Sequence, residues 1–274
     1  EMYSLKNVHR DRVHGLLSQD SHPNTTAPGD YPIAWCSEYG KGKVFYTSLG
    51  HREDIWTSDH YQKHILGGIH WALGLAKGDG KPINNRYEVS AEERAAGFKP
   101  LFNGINLDGW KLRQKDGAKS WNVQNGMMVN TVGKGEHGTD IVTNDKFWNF
   151  TVRYEYLIPK GSNSGFYLRG RHEIQIFDDY GKKPAMGGNG AIYSVKPVSL
   201  QASRRAGEWQ EVEATIKGNR ISVTLNGVQV HENVEVNRAT GSELDANVDQ
   251  PGSLFVQGDH GAVALRNIRI KVLD

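Results

Sequence analysis

The feature that most limits the fold is an alternation of apolar and polar residues that returns between turn signals from Phe98 almost to the end of the chain. Successive side chains of a strand point to opposite faces, so each alternating run is a strand with one dry face and one wet face. Phe150 to Leu157 alternates in this way. Val212, Ala214 and Ile216 share a face, Gly218-Asn219 turns the chain, and Ile221, Val223 and Leu225 share the next. Asn226-Gly227 then leads into Val228-Gln229-Val230, and Asn125-Gly126 joins Trp121-Asn122-Val123 to Met127-Met128-Val129. Asn-Gly is the strongest short hairpin signal, because both residues tolerate positive φ. In the last strand Ile268, Ile270 and Val272 are expected inward, with Asn267, Arg269 and Lys271 outward. A charged outer row suits a strand near a sheet edge. Short strands at this spacing predict a two-sheet sandwich over 98–274, about 175 residues, a size that one core can serve.

The first part of the chain reads differently. Pro32-Ile33-Ala34-Trp35 and Val44-Phe45-Tyr46-Thr47 predict strands around the turn Tyr39-Gly40-Lys41-Gly42. A helix follows, capped by Ser58 or Asp59, with Tyr61, Ile65, Ile69 and Leu73 at helical spacing and Gly74 as its stop. One helix is too little to cover both faces of a sheet, so residues 1–76 make an odd block when taken alone. Residues 77–97 are polar and rich in Gly, Lys and Asn at their start, which marks a linker, and Ser90 with Glu93 forms a capping box for a short helix. The fold class is therefore mainly β, a concanavalin-like jelly-roll sandwich with a small N-terminal α/β segment.

The stretch Gly161 to Asp179 is the candidate site. Phe166 and Leu168 alternate with Tyr167 and Arg169, and Ile174 and Ile176 alternate with Glu173, Gln175 and Phe177. The apolar sets must share one face, since a slip of one residue would bury the charges. The expected register puts Leu168 opposite Ile174 and Arg169 opposite Glu173, with Gly170, Arg171 and His172 as the loop. The other face then holds Asn163, Tyr167, Arg169, Glu173 and Gln175, a set of donors and acceptors suited to a sugar. A bland alternative is an ordinary polar face with a cross-strand ion pair.

Two family resemblances follow from particular motifs. Residues 98–274 carry Leu101-Phe102-Asn103-Gly104 with Leu107-Asp108-Gly109-Trp110, Asn163-Ser164-Gly165, Glu173-Ile174-Gln175-Ile176 with Asp178-Asp179, Gly190-Ala191-Ile192-Tyr193, Gly207-Glu208-Trp209 and Gln257-Gly258-Asp259-His260-Gly261. This part resembles the 3-keto-disaccharide hydrolase family. Gly258 interrupts the family's usual Gln-Asp-His run, which bears on where His260 lies. The first block carries Asp11-Arg12-Val13-His14, Pro32 to Trp35, Tyr39 to His51 and Leu66-Gly67-Gly68-Ile69-His70-Trp71-Ala72. It resembles the C-terminal part of the trehalose-utilisation (ThuA-like) domain.

The first resemblance implies cleavage of 3-keto glycosides or disaccharides, by elimination and hydration or by net hydrolysis. A ketone at C3 acidifies the proton on C2, and its removal lets the group at C1 leave. Such chemistry needs a base, an acid and a stabiliser of the enolate. Glu173, His260 and Asp178 are the candidate catalytic groups. Asn163, Tyr167, Arg169, Gln175, Asp179, Tyr193 and Gln257 are the candidate substrate contacts. A carboxylate paired with Arg169 is expected to be a weaker base. Gly187-Gly188-Asn189-Gly190 reads as a flexible loop or lid. Two other readings stand beside this one. Glu173, Gln175 and Asp178 match the spacing of laminarinase-like retaining glycoside hydrolases, although the middle residue is an amide. A non-catalytic carbohydrate-binding sandwich would use aromatic platforms such as Tyr167, Phe177 and Tyr193, because Trp110, Trp121 and Trp209 sit in apolar patterns.

The expected partners are a small carbohydrate substrate and an upstream sugar 3-dehydrogenase. Net charge is only +2, so no pull toward nucleic acid is implied, and no run is long and apolar enough to span a membrane. No cofactor is expected and no metal-ligand spacing is present, although Asp178-Asp179 also suits a structural calcium ion. Cys36 is the one cysteine, so no intrachain disulfide forms. A periplasmic or exported location is expected, otherwise a cytoplasmic one. The chain shows no signal peptide and begins in mid-pattern.

Overall fold

In the computed structural model the described residues are 12–22, 28–82, 89–115, 119–124, 126–132 and 136–274, with Tyr3, Leu5, Asn24 and Gly117. Asp11, Asn125 and positions 83–88 of the expected linker lie outside them. The chain forms two compact units, Glu1–Arg86 and Tyr87–Asp274.

The first unit is an antiparallel sheet in the order β1 (His14–Ser21), β2 (Pro28–Tyr39), β3 (Gly42–Thr47), followed by helix α1 (Asp59–Ala72). The helix seats Gly68 on β3 so closely that a Cβ there would come within 2.4 Å of the Phe45 ring. That approach selects Tyr61, Gly68 and Trp71 as the buried stripe. Ile69 and Leu73, expected inward from their spacing, are instead exposed. The spacing shows that a helix has an apolar stripe, but here a glycine decides which side meets the sheet. Cys36 is a buried small residue of β2, and burial pushes its thiol pKa up.

The second unit is a two-sheet sandwich. One sheet has five strands in the order β11 (His172–Phe177), β10 (Asn163–Leu168), β15 (Phe255–Val256), β8 (Ile141–Thr143), β5 (Trp110–Leu112). The other runs β14 (Val228–Glu235), β13 (Arg220–Leu225), β12 (Gln210–Lys217), β9 (Phe150–Leu157), β16 (Val263–Val272), β7 (Met127–Asn130), β6 (Trp121–Gln124), with β4 (Lys99–Pro100) beside β16. Alternation dictates which residues meet between the sheets. Phe150, Val152, Tyr154, Val212, Ala214, Ile216, Ile221 and Val223 share one core with Phe166, Leu168, Ile174, Ile176 and Val256. Tyr154 stacks on Phe166 with centroids 4.0 Å apart and planes 10° apart. Each large apolar side chain removed from water here contributes roughly 2–3 kcal/mol, which is the main force holding the sheets together.

Two expectations for this unit need correction. β16 is central, between β9 and β7, rather than near an edge. Its outward charges are matched across the sheet surface: Arg266 meets Glu155 at 2.7 Å, and Arg269 meets Glu93 at 2.7 Å. A bulge between Arg266 and Arg269, with Asn267 at φ 53°, moves the buried row from Leu265 to Ile268 and Ile270, while Val272, the last residue of the strand, is exposed rather than inward. The short helix α2 (Ala91–Ala95) forms as expected, with Ser90 Oγ accepting from Glu93 N at 3.1 Å. Glu93 also binds Arg153 at 2.8 Å, so this helix is part of the sandwich rather than of a free linker.

The hairpin β10–β11 keeps its expected faces but not its expected register. Phe166 pairs with Ile174, Tyr167 with Glu173 and Leu168 with His172. The connection has three residues, as expected, but they are Arg169, Gly170 and Arg171; Arg171 N donates to Leu168 O at 3.1 Å, and Arg169 and Gly170 have φ of 53° and 71°. A left-handed backbone is costly for Arg, and the side chain accounts for its presence. Arg169 is buried, donating from Nε to Trp148 O at 2.6 Å and from Nη1 to Gly218 O at 2.8 Å, with its guanidinium 3.6 Å from the Trp148 ring centre. Arg169 therefore does not pair with Glu173 and does not join the polar face. Replacing it should destabilise the sandwich by removing charge-assisted bonds to buried carbonyls. Arg169→Ala is expected to cost about 3 kcal/mol in urea unfolding. Unchanged stability would contradict this placement.

Candidate functional site on the outer face of the five-stranded sheet

Register places the polar residues in two rows across the outer face of the smaller sheet. One row is Glu173, Tyr167, Phe255, Val142 and Lys111. The next holds Gln175 and Gly165, then Gln257, whose N–H donates to Gly165 O at 2.9 Å. Asp140 continues it just before β8, and Arg113 N donates to Asp140 O at 2.8 Å. Glu173 thus lies on the opposite face from Phe166, Leu168, Ile174 and Ile176. Its carboxylate reaches sideways over β10 into the space left by Gly165. A Cβ on that residue would stand 2.1 Å from Glu173 Oε1.

Burial is the first determinant of the site's electrostatics. It pushes the Glu173 carboxyl up to about 7. The Tyr167 hydroxyl, which bonds to the carboxylate, and nearby His260 pull it down, while the negative charges of Asp140 and Asp259 push it up. The Arg169 pairing that was expected to lower it is not made. Burial, followed by the charge and hydrogen bond of Glu173, keeps the Tyr167 phenol protonated. Tyr167 is held by a stack on Phe255, with centroids 3.8 Å apart, and by a hydrogen bond from Ser242. Its ring is buried with Phe255, Val142 and Leu244, so it offers no surface to a sugar. This corrects its expected role as a direct substrate contact or platform.

His260 and Asp259 are exposed neighbours of this buried acid, and Nδ1 of His260 is hydrogen-bonded to Asp259. Gly258 does not loosen their loop. Its N–H donates to Asp140 Oδ1 at 3.0 Å, and a Cβ there would meet Thr139 O at 2.1 Å. Asn130 Nδ2 donates to both Gly258 O and Gly261 O at 2.9 Å. Glycine is thus what lets the chain pass close enough to bring His260 toward Glu173.

The other expected residues divide into two groups. Asn163 and Gln175 lie together on the site face, with Gln175 Nε2 3.2 Å from Asn163 Oδ1. Gln175 Oε1 is buried and without a hydrogen-bond partner. Tyr193 binds the main chain of Glu173 at 3.1 Å and keeps a partly exposed ring. Asp178 and Asp179 are committed to the scaffold instead. Asp178 Oδ2 accepts from Gly161 N at 2.8 Å, the work of a turn residue. Asp179 is buried, with Oδ2 accepting from Asn189 N at 2.9 Å and Oδ1 from Ser203 Oγ at 3.1 Å. Asn189 is itself fully buried and also bonds Tyr156 and Phe177. Residues 187–190 are therefore a pinned segment and not a lid. Gly190 and Ala191 extend the edge of β11 by hydrogen bonds to Gln175.

The sequence reading missed Asp140, Arg113, Thr240 and Ser242. Arg113 Nη1 donates to Asp140 Oδ2 at 3.0 Å and to Ser242 O at 2.9 Å. Thr240 Oγ1 accepts from Glu173 N at 2.9 Å. Arg171, buried, holds the same loop through Asp245 at 2.8 Å and Gln250 O at 2.7 Å. The larger sheet offers a contrast. A groove there is lined by Arg153, Glu155, Glu213 and Arg269. The ion pairs with guanidinium groups hold the Glu93 carboxyl below its usual range despite its burial. Acids neutralised in pairs suit stability better than proton transfer.

Residues 97–271 match the family described as the 3-keto-alpha-glucoside-1,2-lyase-like domain. The chain belongs to that family. Residues 1–72 match a second family, described as trehalose utilisation. A 3-keto-disaccharide hydrolase of Bacteroides thetaiotaomicron is 26% identical over 232 residues, covering 66% of this chain and 80% of the relative. Among solved structures, a Parabacteroides distasonis protein provisionally described as a glycosyl hydrolase superposes with a TM-score of 0.58 at 24% identity, covering 69% of this chain and 99% of that one. A second from the same organism gives 0.53 at 27% identity, covering 65% and 84%.

Two outcomes follow from this geometry. Gly165→Ala should leave stability within about 1 kcal/mol, since the displaced atom ends a flexible side chain, yet lower turnover about 100-fold or more by expelling the carboxylate. Wild-type turnover in a folded variant would contradict the placement. Glu173 should also make stability pH-dependent. Its folded pKa is raised, so the folded state binds the extra proton, and the cost of ionising it appears as pH rises from about 4 through 7. Glu173→Gln should therefore gain stability at about pH 8, by on the order of 3 kcal/mol, and gain little at about pH 4. Equal effects in urea unfolding at both would sink the assignment.

Proposed function

We propose that this protein is a carbohydrate-active enzyme that cleaves the glycosidic bond of 3-keto glycosides or 3-keto disaccharides. The observation that carries this reading is the carboxyl of Glu173, buried over Gly165 with no guanidinium partner among the described residues, where burial pushes its pKa up to about 7. A base works best when its pKa lies near the working pH, because it is then ionised and still basic. The family membership and the name of the Bacteroides relative support the substrate class in this reading.

In this reading Glu173 takes the proton from C2, next to the C3 ketone, and the electron pair passes to the ketone oxygen as an enolate. The enolate collapses and expels the oxygen at C1. His260, whose Nδ1 is engaged by Asp259, gives that oxygen a proton from Nε2. Addition of water across the C1–C2 double bond, with return of the proton from Glu173 to C2, completes a net hydrolysis. Release before this step gives the elimination product. Arg169 is not available to steady the enolate, so that role falls to donors on the site face, the amides of Asn163 and Gln257. Tyr193 is the aromatic surface against which a sugar packs. An oxidation of the C3 hydroxyl by a sugar 3-dehydrogenase must precede the reaction.

The test compares a 3-keto glucoside with its unoxidised parent. The keto form should be cleaved and the parent left intact. Glu173→Gln should keep substrate affinity and lose about 100 to 10,000-fold in kcat. Below about pH 7 the wild-type rate should fall as Glu173 takes up its proton. Equal turnover of both sugars, or near-wild-type kcat in the folded variant, would refute the proposal.

A further inference from the structure

We propose that Tyr167 and the Arg113–Asp140 pair are positioning residues that set when Glu173 carries its charge, and that neither Tyr167 nor Asp140 touches the sugar. The inference rests on the reading of Glu173 as the base, and it concerns what controls that base.

The polar atoms of Tyr167 and Asp140 are already engaged within the protein. The Tyr167 hydroxyl donates to the Glu173 carboxylate and accepts from Ser242. Its ring lies against Phe255. Asp140 Oδ1 accepts from Gly258 N at 3.0 Å and Oδ2 from Arg113 Nη1 at 3.0 Å. Arg113 spends its remaining bonds on Ser242 O at 2.9 Å and Glu243 O at 2.7 Å. The Arg113 guanidinium thus ties the start of β8 to the loop that delivers Ser242 to Tyr167, and Asp140 joins them to the loop that carries His260. Thr240, on the loop of Ser242, also fixes the main chain of Glu173.

The groups that face Glu173 come from each element packed on it. Tyr167 reaches it from β10, Asp140 from before β8, and Asp259 and His260 from after β15. Their effects have opposite signs. The phenol hydrogen bond favours the carboxylate, and the Asp140 charge disfavours it. A base held between a donor and a like charge has its ionisation tuned without either neighbour meeting substrate. The Gly165 gap keeps all of this in register, since it fixes where the carboxylate lies relative to both.

The experiment follows the Glu173 carboxyl carbon by NMR in the full chain labelled with carbon-13 glutamate, without substrate. The resonance is assigned by its loss in Glu173→Gln. Tyr167→Phe should move the midpoint upward by on the order of one pH unit, because the anion loses its donor. Asp140→Asn should move it downward by roughly half a unit, because Asn still accepts from Gly258 while the charge is gone. The acid limb of kcat/KM on a 3-keto glucoside should move in the same directions, with KM little changed. Unmoved midpoints in folded variants, or a rise in KM with no change in the pH profile, would overturn the inference. Shifted midpoints without turnover of any 3-keto sugar would instead leave the positioning device standing and refute the assigned reaction.

Discussion

The structure depends on keeping one carboxylate dry without pairing it to a cation. A buried ionised acid is costly, and proteins ordinarily relieve that cost with an arginine or with several backbone donors. Here Glu173 lies over a glycine, receives the hydroxyl of Tyr167, and has two further acids in its electrostatic neighbourhood. The sandwich core makes this tenable. Phe166, Leu168, Ile174 and Ile176 fix hairpin β10–β11 from the other side, so the polar face cannot slip to relieve itself.

The arginines show how the molecule divides its labour. Arg169 and Arg171 are among the largest fully buried side chains, and both bind backbone carbonyls or a loop carboxylate rather than Glu173. Arg153, Arg266 and Arg269 pair with acids on the outside of the larger sheet. Guanidinium groups thus staple loops and sheet surfaces, and among the described residues none of these pairs with Glu173, the proposed base. Placing an arginine against Glu173 would strengthen the fold and weaken the base.

Local chemistry made much of the architecture legible. Alternation located β9, β12 and β13, Asn226-Gly227 located a hairpin turn, and the capping pair Ser90 and Glu93 located α2. The face carrying Glu173 was legible too, because a register error of two residues preserves the face. The register itself was not, since no local rule puts an arginine at positive φ and the bonds that hold Arg169 there come from residues 148 and 218. Asp140 was invisible for the same reason: its partner Gly258 is 118 positions away. Gly258 read as an interruption of a motif, and close packing on Thr139 shows it as a requirement. In the first unit the periodicity of α1 was right, and the close seat of Gly68 on Phe45 chose a different side.

The central claim is that the buried carboxyl removes the proton from C2 of a 3-keto glycoside. Its most direct test is turnover of such a glycoside carrying deuterium at C2, followed in ordinary water. The account predicts slower turnover than for the protiated sugar, and loss of deuterium from C2 in the elimination product released before water adds. Product that keeps its full deuterium, formed at the same rate as from the protiated substrate, would contradict it.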